Sequence, residues 1–135
     1  MIELIEQDPN FSEVKFLSSV ENIFLKLHLS IMNNNLEEVK HFMNENVYKK
    51  INNRIEKLKN NHQREVFSEV EIIETKVFEC IEKEDSFILR VSIKSRCKNY
   101  IIDSSTKEIK EGTDKNKVEK NSILDFERKK RLQKN

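Results

Sequence analysis

The sequence holds a single glycine (Gly112), a single proline (Pro9), two cysteines (Cys80 and Cys97) and no tryptophan among 135 residues. A phosphate-cradling Walker loop, a dinucleotide fingerprint and a glycine-rich oxyanion loop each need several glycines, because backbone must approach phosphate or turn at positive φ. One glycine excludes all three, so neither a nucleotide partner nor any cofactor is expected. Two cysteines so far apart form neither a disulfide framework nor a zinc-ligand pair, which points to a reducing compartment. Apolar runs are as short as Phe24-Leu25 and Ile101-Ile102, far below the roughly 20 residues that span a bilayer. Met1 to Glu6 carries acid where a secretory signal would carry base. The chain therefore reads as cytosolic, or as a soluble piece of a longer anchored protein.

Net charge is also small: 25 basic against 24 acidic side chains leave +1. This total hides a separation. Residues 65–85 carry eight acids and two bases, whereas residues 107–135 carry ten bases and six acids, ending in Arg128-Lys129-Lys130-Arg131 and Lys134. The plain explanation is that acidic and basic strands lie side by side as cross-strand pairs.

What the sequence does have is periodicity. Phe16, Leu17, Val20, Ile23, Phe24, Leu27 and Ile31 recur at steps of three and four, painting one apolar stripe along a helix. Asn10, three residues before Glu13, offers a capping box at its start. After Asn33-Asn34-Asn35, the residues Leu36, Val39, Phe42 and Met43 predict a short helix. Val47, Tyr48, Ile51, Ile55 and Leu58 predict a longer one, ending near Asn60-Asn61. The period then changes from 3.6 to 2. Phe87, Leu89, Val91, Ile93, Ser95 and Cys97 alternate with Arg90, Ser92, Lys94, Arg96 and Lys98, which predicts a strand over 86–98 with one buried face. The preceding strand, about Phe67 to Ile81, is interrupted by the doublets Ile72-Ile73 and Val77-Phe78, each of which shifts the alternation by one residue and predicts a bulge. A third stretch from Asn99 to Asp103, a short return through Ile109 and a last strand over 118–127 follow. Helices first and strands afterwards indicate an α+β fold, with amino-terminal helices packed on a curved antiparallel sheet. The expected organisation is one domain over residues 1–127 followed by a basic tail over 128–135.

Several segments carry a family resemblance. Asp8-Pro9-Asn10-Phe11 precedes the first helix; Asn35-Leu36-Glu37 with Phe42, Val47 and Tyr48 crosses the next two; Tyr100-Ile101-Ile102-Asp103 precedes Glu111-Gly112; and Phe126-Glu127-Arg128 ends the last strand. In order and spacing these resemble the Tim44-like domain family, named for the mitochondrial presequence-translocase tether and found also in bacteria. The resemblance implies a cone-like α+β domain of the nuclear-transport-factor-two-like superfamily that docks proteins at a membrane-associated site. Three features depart from the pattern. Ile123-Leu124 stands where an aromatic is common, the short closing strand is missing, and the tether's chaperone-recruiting amino-terminal region has no counterpart. The implied location is cytoplasmic, peripheral at the inner face of a membrane.

Candidate chemistry is sparse. The superfamily resemblance also includes isomerases and cyclases with polar groups inside the sheet's concave face, where a base must meet a donor in a dry pocket. Such a groove or pocket would be lined by Phe24, His28, Tyr48, Leu89, Val91, Ile93 and Cys97, with Asp103 at the strand's end. No base and donor pair stands out among them, so no catalytic residue is assigned and an enzyme is not expected. Glu37 and His41, four residues apart, supply only two ligands where structural zinc takes four, and no metal site is assigned. The third helix is basic on its outer side, through Lys49, Lys50, Arg54, Lys57 and Lys59, with Arg64 following. The feature that folding does not require is the basic tail: Arg128, Lys129, Lys130, Arg131 and Lys134 suit an anionic membrane surface and equally RNA phosphates. The expected function is a non-enzymatic protein-binding or tethering domain near a membrane. The alternatives are an apolar-ligand pocket protein or isomerase-like enzyme, and a ribosome- or RNA-associated module.

Overall fold

A computed structural model describes residues 1–130. The elements are α1 (Ile2–Gln7), α2 (Glu13–Met32), a 3-10 turn (Lys40–Phe42), α3 (Glu45–Asn60), β1 (Gln63–Glu82), β2 (Ser86–Asp103), β3 (Ile109–Gly112) and β4 (Val118–Lys129). Helices followed by a four-stranded antiparallel sheet make the α+β class expected from the sequence. β2 is the central strand and pairs with β1, β3 and β4.

α2 forms where its apolar stripe predicts, but Ser12 caps it: the Ser12 hydroxyl accepts the Lys15 N–H at 3.3 Å. The helix starts at Glu13, so the residue beside it takes the capping position and Asn10 does not. The helix expected over 36–43 shrinks to the 3-10 turn. Asn35 Oδ1 accepts the Glu37 N–H and Asn44 Oδ1 accepts the Val47 N–H, so the two asparagines fix both ends of a segment too short to propagate an α-helix. α1 was not anticipated. Six residues cannot hold a helix alone, and its formation depends on Leu4, 1% exposed, packing with Phe87 and Leu89.

β2 continues to Asp103 instead of breaking at Asn99, whose side chain is taken up across the sheet by Glu65 and the Val66 carbonyl. Its alternation is strict from Phe87 to Cys97. β1 shows consecutive exposed residues at Ile73-Glu74 and at Phe78-Glu79. From Glu69 to Glu79 it advances ten residues, while their ion-pair partners Lys98 and Arg90 are eight apart on β2. The two surplus residues fall somewhere between Glu69 and Glu79, the stretch that contains both predicted doublets. At the far end of β2, Tyr100 faces Gly112, Ile101 faces Glu111 and Ile102 faces Ile109, with a register shift between Ile101 and Ile102. Gly112 has φ +80°, and a Cβ there would lie 2.6 Å from the Asn99 carbonyl oxygen. Its lack of a side chain is what lets β3 close on β2.

The chain divides into two compact units. The first comprises Met1–Val20, Ile72–Ser95 and the chain from Lys120; the second comprises Glu21–Glu71 and Arg96–Glu119. In the first, Leu4, Phe87 and Leu89 form a core against which Phe11, Phe16, Val77 and Cys80 pack. In the second, Leu36, Val39 and Ile55 form a core covered by Leu27, Ile31, Met43, Tyr48 and Ile51. A part-buried polar knot fastens α3 to the sheet within this second unit. Arg54 donates to both carboxylate oxygens of Glu65 at 3.0 and 3.2 Å, and Asn99 Nδ2 donates to Glu65 at 3.1 Å.

Candidate functional site

The basic end of β4 belongs to the first unit. β4 runs to Lys129, two residues past the expected domain boundary, so Arg128 and Lys129 are strand residues. Arg131 and Lys134 lie outside the described residues. Strand alternation sends Leu124, Phe126 and Arg128 to the partly buried side, where Phe126 meets Phe16 edge-on at 5.7 Å.

Arg128 reaches back across most of the chain. Its Nε donates to Asp8 Oδ2 at 3.0 Å, a second donor from Nη2 reaches the same oxygen, and the guanidinium stacks 4.9 Å over the Phe11 ring. Asp8 is the C-cap of α1 and only 6% exposed. Lys130 makes the parallel contact: its Nζ donates to Glu82 at 2.7 Å and lies 5.2 Å from the Phe87 ring, while its backbone N–H bonds to the Asp85 carbonyl. Gln7 donates to the same Glu82 oxygen at 3.0 Å. Hydrogen bonds from Lys130 and Gln7 hold the Glu82 carboxyl below its ordinary pKa. Arg128 thus ties the end of α1 to β4, Lys130 is held by Glu82 and the Asp85 carbonyl, and neither is a free basic tail residue. Lys129 is exposed.

These groups surround a cleft of about 440 Å³, floored by Leu4 and Phe87 and rimmed by Gln7, Asp8, Arg128 and Lys130. A smaller recess of about 280 Å³ lies on the other side of Arg128, beside Phe11, Ser12 and Lys15. Over the apolar floor the lining is mixed in charge, with Glu6 and Asp8 beside Arg128, Lys129 and Lys130, and Arg128 is already bonded to Asp8. No nucleophile and base converge there.

The residues expected to line a groove are placed as follows. In the first unit Leu89, Val91 and Ile93 are each 0% exposed, so their side chains are wholly enclosed. In the second unit Phe24 and Cys97 are buried. His28 is half-buried between the rings of Phe24 and Phe67, at 4.3 and 4.5 Å. Its Nδ1 lies 2.7 Å from the Phe24 carbonyl oxygen; a carbonyl only accepts, so Nδ1 carries the proton. Tyr48 is half-buried against the second core, with the Lys40 ammonium 5.1 Å from its ring centre. Asp103 is a turn former: its Oδ1 accepts the N–H groups of Thr106 and Ser105 at 2.8 and 2.9 Å. Those bonds lower its pKa, which makes it a poorer base.

The basic helix is also partly engaged. Arg54 is held by Glu65, Lys49 pairs with Glu45 at 3.1 Å, and Lys59 lies 3.8 Å from Glu56. Lys50 and Lys57 point outward. His41 stacks on Phe42 at 4.0 Å, and among the described residues no group of three or more His, Cys, Asp or Glu side chains is placed to hold a metal. Among those residues no helix is long and apolar enough to cross a membrane.

Sequence signals for the anchoring contacts were slight. Asp8 stands before Pro9 and Arg128 in a basic run, but nothing links positions 120 residues apart. The Glu65 knot carries a better signal, an acidic residue on the inward phase of a strand that begins just after a basic helix.

Comparison with known families shows that the Tim44-like domain matches residues 2–135. No curated protein matches the chain.

Proposed function

Because the chain belongs to the Tim44-like domain family, we propose that it is a non-enzymatic protein-binding, tethering domain. It acts peripherally at the inner face of a membrane, in protein translocation or membrane-protein assembly. The observation that carries this reading is the family match across the whole chain, joined by a run of bases that reaches the protein surface at Lys129 and continues through Arg131 and Lys134. Clustered bases near an anionic leaflet contribute about 1 kcal/mol each. Support for a binding rather than a pocket enzyme role comes from the enclosed side chains of Leu89, Val91 and Ile93 and from Asp103, whose carboxylate is committed to its turn.

Vesicle flotation tests the membrane part. The combined variant Lys129→Gln, Arg131→Gln, Lys134→Gln spares Arg128, which holds the end of α1, and Lys130, which pairs with Glu82. Wild type should float with anionic vesicles and far less with neutral ones, and the variant should lose about a hundredfold in anionic affinity. Equal flotation with both vesicle types, or no loss in the variant, refutes the membrane reading. Crosslinking in the native cell tests the partner reading, which fails if the chain captures no protein.

A further inference from the structure

In the first unit α1 is too short to sustain itself. Its six residues fall well below the length at which a helix holds in water, and Met1 at its N-cap gives no side-chain cap bond. Tertiary ties hold it instead. Leu4, its one buried residue, packs on Phe87 and Leu89; Arg128 bonds to Asp8 at the C-cap; and Gln7 donates to Glu82 at 3.0 Å. Ile2 and Ile5 remain outward, 71% and 49% exposed. The seat is also incomplete, because the cleft of about 440 Å³ opens between Glu6, Gln7 and Asp8 on α1 and Arg128, Lys129 and Lys130 on β4 and the residue after it. The sheet beneath is closed by its own bonds. Lys83 N–H reaches the Ser86 carbonyl, Lys130 N–H reaches the Asp85 carbonyl, and Lys130 Nζ holds Glu82, so the ends of β1, β2 and β4 are joined without α1. Pro9 disfavours helical backbone at Asp8, whose φ of −134° and ψ of 81° end the helix. α1 is therefore mechanically separate from α2.

We propose that α1 is a releasable strap, which opens as a unit at Asp8-Pro9 while the sheet stays folded and so uncovers an apolar groove floored by Phe87 and Leu89. Closed, the strap leaves these two side chains 2% and 0% exposed. Open, it bares them together with the partly buried groups packed on the same cluster, among them Val77 and the free thiol of Cys80. The same movement parts Asp8 from Arg128, whose side chain is 37% exposed while paired, and adds a guanidinium to the surface beside Lys129. An apolar floor and an unpaired cation thus appear together, and only in the open state. Such an opening gives up one buried leucine and the bonds of Asp8 and Gln7, whereas unfolding the sheet gives up the whole core, so the strap lies at the low end of the molecule's range of local stabilities. The inference rests on the ties of α1 and stands whether or not the membrane reading holds.

Native-state hydrogen exchange of the full chain tests it, read at the amides of Ile5 and Asp8, which bond to the Met1 and Leu4 carbonyls at 3.0 and 2.8 Å. In the wild type these two should exchange at least about tenfold slower than in an unfolded peptide, yet at least about a hundredfold faster than the amides of residues 87–93 in β2. Arg128→Gln should speed exchange at Ile5 and Asp8 at least about tenfold, the effect of losing hydrogen bonds to a charged group, and leave residues 87–93 unchanged. Thiol labelling of Cys80 should quicken in parallel, with Cys97, 2% exposed in the second unit, as the unresponsive reference. Should Arg128→Gln misfold, Asp8→Asn breaks the same tie from the other side and decides. Ile5 and Asp8 amides without protection would mean a frayed end and not a strap, which overturns the proposal. So would exchange of α1 in step with β2, a folded variant that leaves α1 exchange unchanged, or a loosened α1 with no quickening at Cys80.

Discussion

Arg54, Glu65 and Asn99 allow a sharp test of how α3 is fastened to the sheet. Glu65 is 6% exposed and accepts two hydrogen bonds from Arg54 and one from Asn99. Arg54→Ala removes two charge-assisted donors from a carboxylate that water reaches poorly, and a hydrogen bond to a charged group is worth about 1.5–3 kcal/mol. Breaking a fully buried ion pair costs about 3–5 kcal/mol. That range is too high here, because the Arg54 side chain is 56% exposed and its guanidinium was never fully desolvated. The expected loss is about 2 kcal/mol. Glu65→Gln removes the charge but keeps an acceptor, and should cost somewhat less. Asn99 is only partly stranded by it, since its Nδ2 also donates to the Val66 carbonyl. Urea unfolding of wild type, both single variants and the double variant gives the coupling, expected at about 1–2 kcal/mol. Additive losses, with coupling below about 0.5 kcal/mol, would show that the pair does not act as a unit and that the reasoning is wrong.

Two further expectations concern backbone and acid. Gly112→Ala should lower stability by about 2 kcal/mol or more, read as a drop in Tm, because φ +80° and a Cβ at 2.6 Å from the Asn99 carbonyl act together; an unchanged Tm would mean that β3 does not approach β2 so closely. The carboxyls of Glu69 and Glu82 are held below their ordinary value of 4.5, mainly by hydrogen bonds from Lys98 and Lys130, and that of Asp103 below 3.8, mainly by the Thr106 N–H. A folded-state pKa below the unfolded one gives stability present above the unfolded value and lost as pH falls through the folded one. Thermal melts should therefore weaken progressively as pH falls below about 4.5, and a Tm that stays level down to pH 3 would contradict the pairings.

The parts of the fold that sequence reveals are those decided locally. The stripe from Phe16 to Ile31 needs only its own period to declare a helix, and the alternation from Phe87 to Cys97 needs only its own period to declare a strand. Even the β1 doublets are local, since two adjacent apolar residues in an alternating run must displace the phase. α1 is different. Its single buried residue, Leu4, meets Phe87 and Leu89 far along the chain, so nothing within Ile2–Gln7 announces a helix. The candidate site divides in the same way. Basic residues at the chain's end are visible at once, but their assignment is not: Arg128 and Lys130 look like a solvated tail until Asp8 and Glu82 are placed beside them. A six-residue helix, a carboxylate 120 positions away and a strand two residues longer than expected are consequences of tertiary packing, which no window of the sequence contains.

The same distinction settles what the charge separation means. Read along the chain, residues 65–85 are acidic and the carboxyl-terminal stretch is basic, which suggests a dipole that a partner would sense. In the folded chain five of the eight acids in that segment meet a base from outside it: Glu65 with Arg54, Glu69 with Lys98, Glu71 with Lys117, Glu79 with Arg90 and Glu82 with Lys130. Opposite charges within 4 Å present almost no field beyond the Debye length of about 8 Å at physiological salt. A binding partner therefore meets individual groups and not a molecular dipole. The groups with most influence are exposed bases such as Lys50, Lys57 and Lys129. Salt should then weaken any anionic contact through a few local charges, with a shallow dependence, whereas a dipole-driven encounter would show the steeper fall of a long-range field.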